Sequence, residues 1–285
     1  MVLVPFQCQG NITLIQKITF HLRLPKMSCP VFNLNPQLCC MIQGIFSTPM
    51  KVILSFSGMI GYINNMALKL IIFDLDGTLV DSSIDICHAI NYALEGMNVP
   101  PITVRETIAI IGEGITRLFE KIIEIHNIPA DKEFLIKRFL DHYAAHLVDN
   151  TTVYPGVEDA LKSLNGCRKA VISNKREDFS ERVLELLGMR KYFDLVVGSD
   201  TTAERKPSPV PIQYVLSRFD TRPDEAIIVG DSNYDIDAGN AAGITTIAVT
   251  YGYRPLNLLK RADYIIDTMP EVLRIVEELS PANRR

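Results

Sequence analysis

Residues 68–82, LKLIIFDLDGTLVDS, constrain what this chain can fold into more than any other stretch. Leu70, Ile71, Ile72 and Phe73 form an unbroken apolar run, which reads as a short parallel strand buried on both faces. Asp74 and Asp76 fall where that strand ends, and residues two apart on a strand point to the same side. Gly77 then lets the backbone turn sharply, so that it and Thr78 can bring amides close to a bound anion. Two carboxylates and several N–H groups therefore meet at a strand's carboxyl edge, where open α/β sheets bind ligands.

Paired acids at such an edge need a reason. Two like charges about 4 Å apart repel by roughly 4 kcal/mol at an effective dielectric near 20. A hard divalent cation with oxygen ligands offsets that, and Mg²⁺ commonly sits on one or two carboxylates plus a substrate phosphate. A carboxylate held there can attack phosphorus and become an aspartyl-phosphate. The second aspartate can serve as general acid and base. An Asp-Gly turn with solvated acids explains the same residues, so the choice rests with the partners that later strands supply.

Those later strands also end in polar groups. The strand expected at 169–172 ends in Ser173-Asn174-Lys175, where a hydroxyl and an amide can donate to a phosphoryl oxygen. After a strand at 195–197 comes Glu204-Arg205-Lys206-Pro207. The proline restricts the backbone of Lys206, which can aim an ammonium at charge building on phosphate. A third buried strand, 227–229, ends in Gly230-Asp231-Ser232-Asn233-Tyr234-Asp235, with a helix expected from Asp235 to Gly243. Strands at 245–249 and 264–266 and a closing helix at 270–279 complete an alternating pattern, which predicts a doubly wound parallel sheet of the Rossmann-like α/β class.

Residues 81–153 break that alternation. They predict helices at 84–94, 103–111, 115–125 and 131–148, with Thr103 and Glu106 as a capping box and no strand. This is a helical cap domain inserted after the first strand, between core segments 66–80 and 154–285, able to close over the strand ends and exclude water. The loop Gly112-Glu113-Gly114-Ile115 is expected to face the site and set substrate specificity. Arg105, Arg117, Lys121, His126, Lys137, His142 and His146 are available to touch a substrate.

Composition limits the alternatives. The net charge is −4, so a nucleic-acid partner has no electrostatic support. All 33 acids lie after Met66, while residues 1–65 contain none. The abrupt change suggests that the functional protein starts at Met66 and that 1–65 are a non-native or disordered extension. Residues 52–63 are apolar but fall short of the about 20 needed to span a bilayer, so no membrane partner is expected. Of six cysteines, none forms a Cys-x-x-Cys pair, which suits a reduced, cytoplasmic enzyme. Composition sets no oligomeric state.

Taken together, Asp74-Leu-Asp76-Gly-Thr-Leu, Ser173, Lys206 and Gly230-Asp231-Ser-x-x-Asp235 resemble the haloacid dehalogenase superfamily of phosphatases, from Met66 to about Val276. The resemblance implies Asp74 as nucleophile and Asp76 as acid/base. It implies Gly77, Thr78, Ser173, Asn174 and Lys206 as phosphate-binding groups. For Mg²⁺ it implies Asp74, Asp76 (through its backbone oxygen) and Asp231 as ligands, with Asp235 as ligand or support. Asp76 argues against dehalogenase chemistry, since that branch lacks the second acid. Within the superfamily the chain is similar to the phosphoglycolate phosphatases, through Ile111-Gly-Glu-Gly114, Ser173-Asn-Lys175, Arg205-Lys-Pro-Ser-Pro209, Ala238-Gly-Asn-Ala-Ala-Gly243 and Val249-Thr-Tyr-Gly-Tyr-Arg254. That implies hydrolysis of a small phosphorylated metabolite, 2-phosphoglycolate, to glycolate and phosphate. A β-phosphoglucomutase-like phosphotransferase, an inorganic pyrophosphatase, or a non-catalytic binding or regulatory protein of the same fold are the alternatives. The mutase branch carries a His where this chain has Ile86.

Overall fold

The computed structural model describes residues 68–279, so the expected start at Met66 and the reading of 1–65 lie outside the described residues. Strand β1 (Leu70–Phe73) is fully buried, as its apolar run requires. Ile71 and Phe73 join one apolar cluster and Leu70 and Ile72 another, on opposite faces of the sheet. Around β1 run β4 (Arg168–Ile172), β5 (Leu195–Val197), β6 (Ala226–Gly230), β7 (Thr245–Val249) and β8 (Tyr264–Ile266), in the order β5-β4-β1-β6-β7-β8. Every pairing in this sheet is parallel.

The order matters for the site. The sheet starts from β1 in the middle, adds β4 and β5 on one side, then crosses to add β6, β7 and β8 on the other. That reversal opens a crevice at the carboxyl ends beside β1. The register is in step: Phe73 lies opposite Val171 on one neighbour and Val229 on the other. Asp74, Ser173 and Asp231 therefore emerge at one edge.

Helices α1 (Ser83–Leu94), α2 (Val104–Ile110), α3 (Ile115–His126) and α4 (Lys132–Tyr143) occupy the segment expected to be helical, and Thr103 and Glu106 form the expected capping box. Two features differ from the sequence reading. Short strands β2 (Val80–Asp81) and β3 (Thr152–Val153) pair antiparallel where the chain leaves and returns. Two-residue pairings carry no period and leave no pattern to read. Helix α4 also stops at Tyr143 rather than at 148, because Ala145 and His146 donate to His142 and Tyr143 in tighter turns. Among the described residues no helix is long and apolar enough to cross a membrane.

The remaining helices are α5 (Val157–Ser163), α6 (Glu177–Leu186), α7 (Val210–Arg218), α8 (Asn233–Ala242), α9 (Leu256–Leu259) and α10 (Glu271–Leu279). Helix α7 has no counterpart in the sequence analysis, which places no element between the strands at 195–197 and 227–229. Pro211 sits in its first turn, where a missing N–H costs no helical hydrogen bond. Helix α8 starts two residues before Asp235. Ser232 precedes it and donates backbone N–H and hydroxyl to the Asp235 carboxylate at 3.1 and 2.6 Å.

Asp85, in the first turn of α1, clasps the returning chain. It is 1% exposed and accepts from the backbone N–H groups of Asn150 and Thr151 at 2.9 and 2.8 Å and from the Thr151 hydroxyl at 2.7 Å. Asp85→Ala strands these donors, and a stability loss of about 2–3 kcal/mol is expected in urea unfolding. Burial pushes this carboxyl up, but the Asn150 and Thr151 hydrogen bonds outweigh it and hold its pKa below the ordinary value. The folded form then binds the proton less readily than the unfolded chain. The Asp85 contribution is full above about pH 4, the unfolded range, and is lost as the pH falls below it.

Candidate active site

Three acids meet at the edge of the sheet. Asp74 leaves β1, Asp231 leaves β6 and Asp235 lies in the first turn of α8. All three are buried, and one carboxylate oxygen from each lies within 4.8 Å of the others. One ammonium answers them. Lys206 Nζ is 2.8 Å from Asp74 Oδ1 and 2.6 Å from Asp235 Oδ1, and donates to the Ile172 carbonyl at 2.6 Å. Three acids against one base leave excess negative charge out of water, which burial makes costly.

The electrostatics follow. Burial, with repulsion from Asp235 and Asp231, pushes the Asp74 carboxyl well up despite the pull of Lys206. Burial and Asp235 push Asp231 up to about 7, against the Tyr253 N–H that donates to it at 2.7 Å. Burial opposes the charge on Lys206, but Asp235 and Asp74 outweigh it and raise its pKa. Such a set of hard oxygens with unbalanced charge fits a divalent cation of the Mg²⁺ type. Asp74, Asp231 and Asp235 are the side chains that would hold it.

Asp76 is placed apart from these three. Its Oδ1 accepts from Lys175 Nζ at 2.6 Å and from the Ser82 hydroxyl at 2.5 Å. Gly77 has φ +88°, and a Cβ there would collide with the Asp231 carboxylate. The N–H of Gly77 donates to Val80 O and that of Thr78 to Leu75 O, so both amides expected to hold phosphate are engaged by the turn itself. The Thr78 hydroxyl donates to Asp231 at 3.4 Å. The amides this turn leaves for an anion are those of Leu75 and Asp76.

Ser173 is buried beside the cluster. The expectation for Asn174 changes. Its side-chain NH₂ donates to Gly112 O at 2.8 Å and Lys206 O at 2.9 Å, while its Oδ1 has no partner. The amide therefore ties the loop after α2 to the sheet and is not available to a phosphoryl oxygen.

Above the acids lies a cavity of about 100 Å³. Asp74, Asp76, Ser173, Lys206 and Asp231 line its floor, and Ile86, Ile111, Leu118 and Phe139 its walls. Gly112, Gly114 and Ile115 line it. Glu113 does not; it pairs with Lys121, and Arg117 lies 3.7 Å away. None of the seven basic cap residues expected to be available to a substrate lines the cavity. Lys137 pairs with Asp141, His146 with Asp149, and His142 stacks on Tyr92. The periodicity of a helix shows which face is apolar, and here the apolar face turns toward the site.

Lys175, Tyr143, Tyr253 and Arg254 also line this cavity, and the sequence reading gives them no role. Arg254 donates to Ile108 O at 2.7 Å and also to Ile111 O, so it holds the last turn of α2 onto the sheet. Lys175, Tyr253 and Arg254 follow strand ends and stand in stretches that carry the family resemblance, which places them near the edge without giving them a role. Tyr143 has no such signal.

The matching family model is that of the haloacid dehalogenase-like hydrolases, over residues 71–249. A phosphoglycolate phosphatase of Aquifex aeolicus is 38% identical over 67% of this chain and 88% of its own length. That of Chromobacterium violaceum is 37% identical over 74% of this chain and 97% of its own. Among solved structures, a predicted phosphoglycolate phosphatase from Haemophilus somnus is similar, with a TM-score of 0.70 and 30% identity over 73% of this chain and 97% of that one.

Proposed function

The chain belongs to the haloacid dehalogenase-like hydrolases, an enzyme of the phosphoric monoester hydrolase class, and from that premise we propose that it hydrolyses 2-phosphoglycolate to glycolate and phosphate with Mg²⁺. The observation that carries this is the grouping of Asp74, Asp231 and Asp235 around Lys206 on the floor of a cavity that Asp76 also lines. The names of the relatives supply the substrate.

In this reading Asp74 attacks phosphorus, and the P–O bond to the glycolate oxygen breaks. Asp76 gives its proton to that oxygen. Water then attacks the aspartyl-phosphate, Asp76 takes a proton from it, and Asp74 is freed. Lys206 and Ser173 hold the phosphoryl oxygens, with the Leu75 and Asp76 amides beside them. Mg²⁺, when bound by Asp74, Asp231 and Asp235, offsets charge on the phosphoryl group and on the acids. The segment α1–α4 acts as a cap, and its apolar walls exclude water from the leaving group. Ile86, a cavity wall without acid or base, supports hydrolysis over a mutase reaction.

The test is a panel of phosphoglycolate, pyrophosphate, sugar phosphates and nucleotides, with and without chelator. Phosphoglycolate is expected to give the highest kcat/KM, and chelation to remove activity on every substrate. Mg²⁺ at a hundred times its Kd is expected to add about 2.7 kcal/mol to stability. Full activity with chelator, or pyrophosphate as the preferred substrate, overturns this reading.

A further inference from the structure

Building on the phosphoglycolate reading, we propose that the Tyr143 hydroxyl and the Lys175 ammonium form the subsite that takes the carboxylate of the leaving group. Tyr143 closes α4 and is 1% exposed. Its ring is fixed between Phe139, with centroids 5.2 Å apart, and Phe179, edge-on at 5.6 Å. Its hydroxyl is buried and meets no partner within 3.5 Å, and the Lys175 ammonium is the charged group that reaches toward it. A buried hydroxyl without a partner is costly, and in a cavity wall it points to an atom of a ligand.

Lys175 supplies the charge. Its Nζ lies 5.2 Å from the centroid of the Tyr143 ring and holds Asp76 Oδ1 at 2.6 Å. An ammonium has three donors, and Asp76 takes one. The other cations lining the cavity serve the phosphoryl end or are engaged with other groups. Lys206 faces Asp74 and Asp235, Arg176 bonds to Asp178, and Arg254 holds the carbonyls of Ile108 and Ile111. A carboxylate entering among Ile86, Ile111, Leu118 and Phe139 needs a charged donor, and Lys175 is the one on the Asp76 side.

The placement also suits the reaction. Asp76 marks where the leaving oxygen is protonated. In glycolate the carboxylate is attached to the carbon that bears this oxygen. Its oxygens therefore fall beside Asp76, where Lys175 and Tyr143 stand. The apolar walls strengthen these contacts by keeping water out. Specificity thus comes from one ammonium and one hydroxyl, with shape from the aliphatic walls.

The probe pair is 2-phosphoglycolate and ethyl phosphate, which carries a methyl group in place of the carboxylate. In Tyr143→Phe, kcat/KM for phosphoglycolate is expected to fall about 10-fold or more, chiefly through KM, the loss typical of one hydrogen bond to a charged group. Ethyl phosphate is expected to lose much less, so the ratio of the two falls. The thermal midpoint is expected to change little, because the deleted hydroxyl meets no partner within 3.5 Å in the folded protein. In Lys175→Gln the ratio falls too, and kcat falls for both esters because Asp76 loses its ion pair. If the wild-type enzyme does not prefer phosphoglycolate over ethyl phosphate, the substrate reading and this subsite fall together. If it does prefer it and Tyr143→Phe leaves the ratio unchanged, the subsite assignment alone is wrong.

Discussion

Asp74→Asn is expected to lower turnover at least about 10⁴-fold, roughly 5 kcal/mol of transition-state stabilisation, while raising the thermal midpoint of the chelated protein. The two effects share one cause. Asp74 is a buried carboxylate that burial and two neighbouring acids disfavour in its charged form. An amide of the same shape still accepts from Lys206 through its oxygen, and its NH₂ faces Asp231 and Asp235 with a donor where repulsion stood before. The fold gains what the reaction loses, because the amide is not a nucleophile. Calorimetry adds a further check: Mg²⁺ is expected to stabilise the wild-type protein more than the variant. Wild-type turnover in Asp74→Asn would end the assignment of the nucleophile.

Lys206→Met is expected to be the most destabilising single change in the site, at about 3–5 kcal/mol in chemical denaturation. Lys206 is 3% exposed and is the cation paired with both Asp74 and Asp235. Methionine fills similar space, so the loss reports charge rather than a cavity. It leaves two buried carboxylates without their counter-ion and the Ile172 carbonyl without its donor. Mg²⁺ is expected to recover part of that stability, since a cation on the same acids replaces the missing charge, but not the activity. A stability loss below about 1 kcal/mol would mean that solvent, not Lys206, screens the acids.

Much of the site is legible in the sequence because its chemistry is attached to strand ends. The run Leu70–Phe73 marks β1 by apolarity alone, and Asp74 comes directly after it. Ser173 and Asp231 come directly after β4 and β6, while Lys206 lies in the longer loop that follows β5. Asn174 misleads because its residue type shows two donors but not that the Gly112 and Lys206 carbonyls take them. Periodicity is enough to mark the cap as helical, yet its basic residues face away from the cavity that they are expected to serve. Charge patterning along a helix shows which side is wet and not what the dry side covers.

The sequence by itself determined the layering of the core and the kinds of group at its carboxyl edge, because both depend on residues close together in the chain. Side-chain period and turn chemistry act over a few residues and survive without the rest of the molecule. Only the tertiary structure decided which of those groups are engaged and what faces them across the cavity. The parallel register sets β4 and β6 beside β1. The end of α4 brings Tyr143 over Lys175, and Lys175 to Asp76. Those contacts join residues far apart in the chain, and packing creates them where no local rule points.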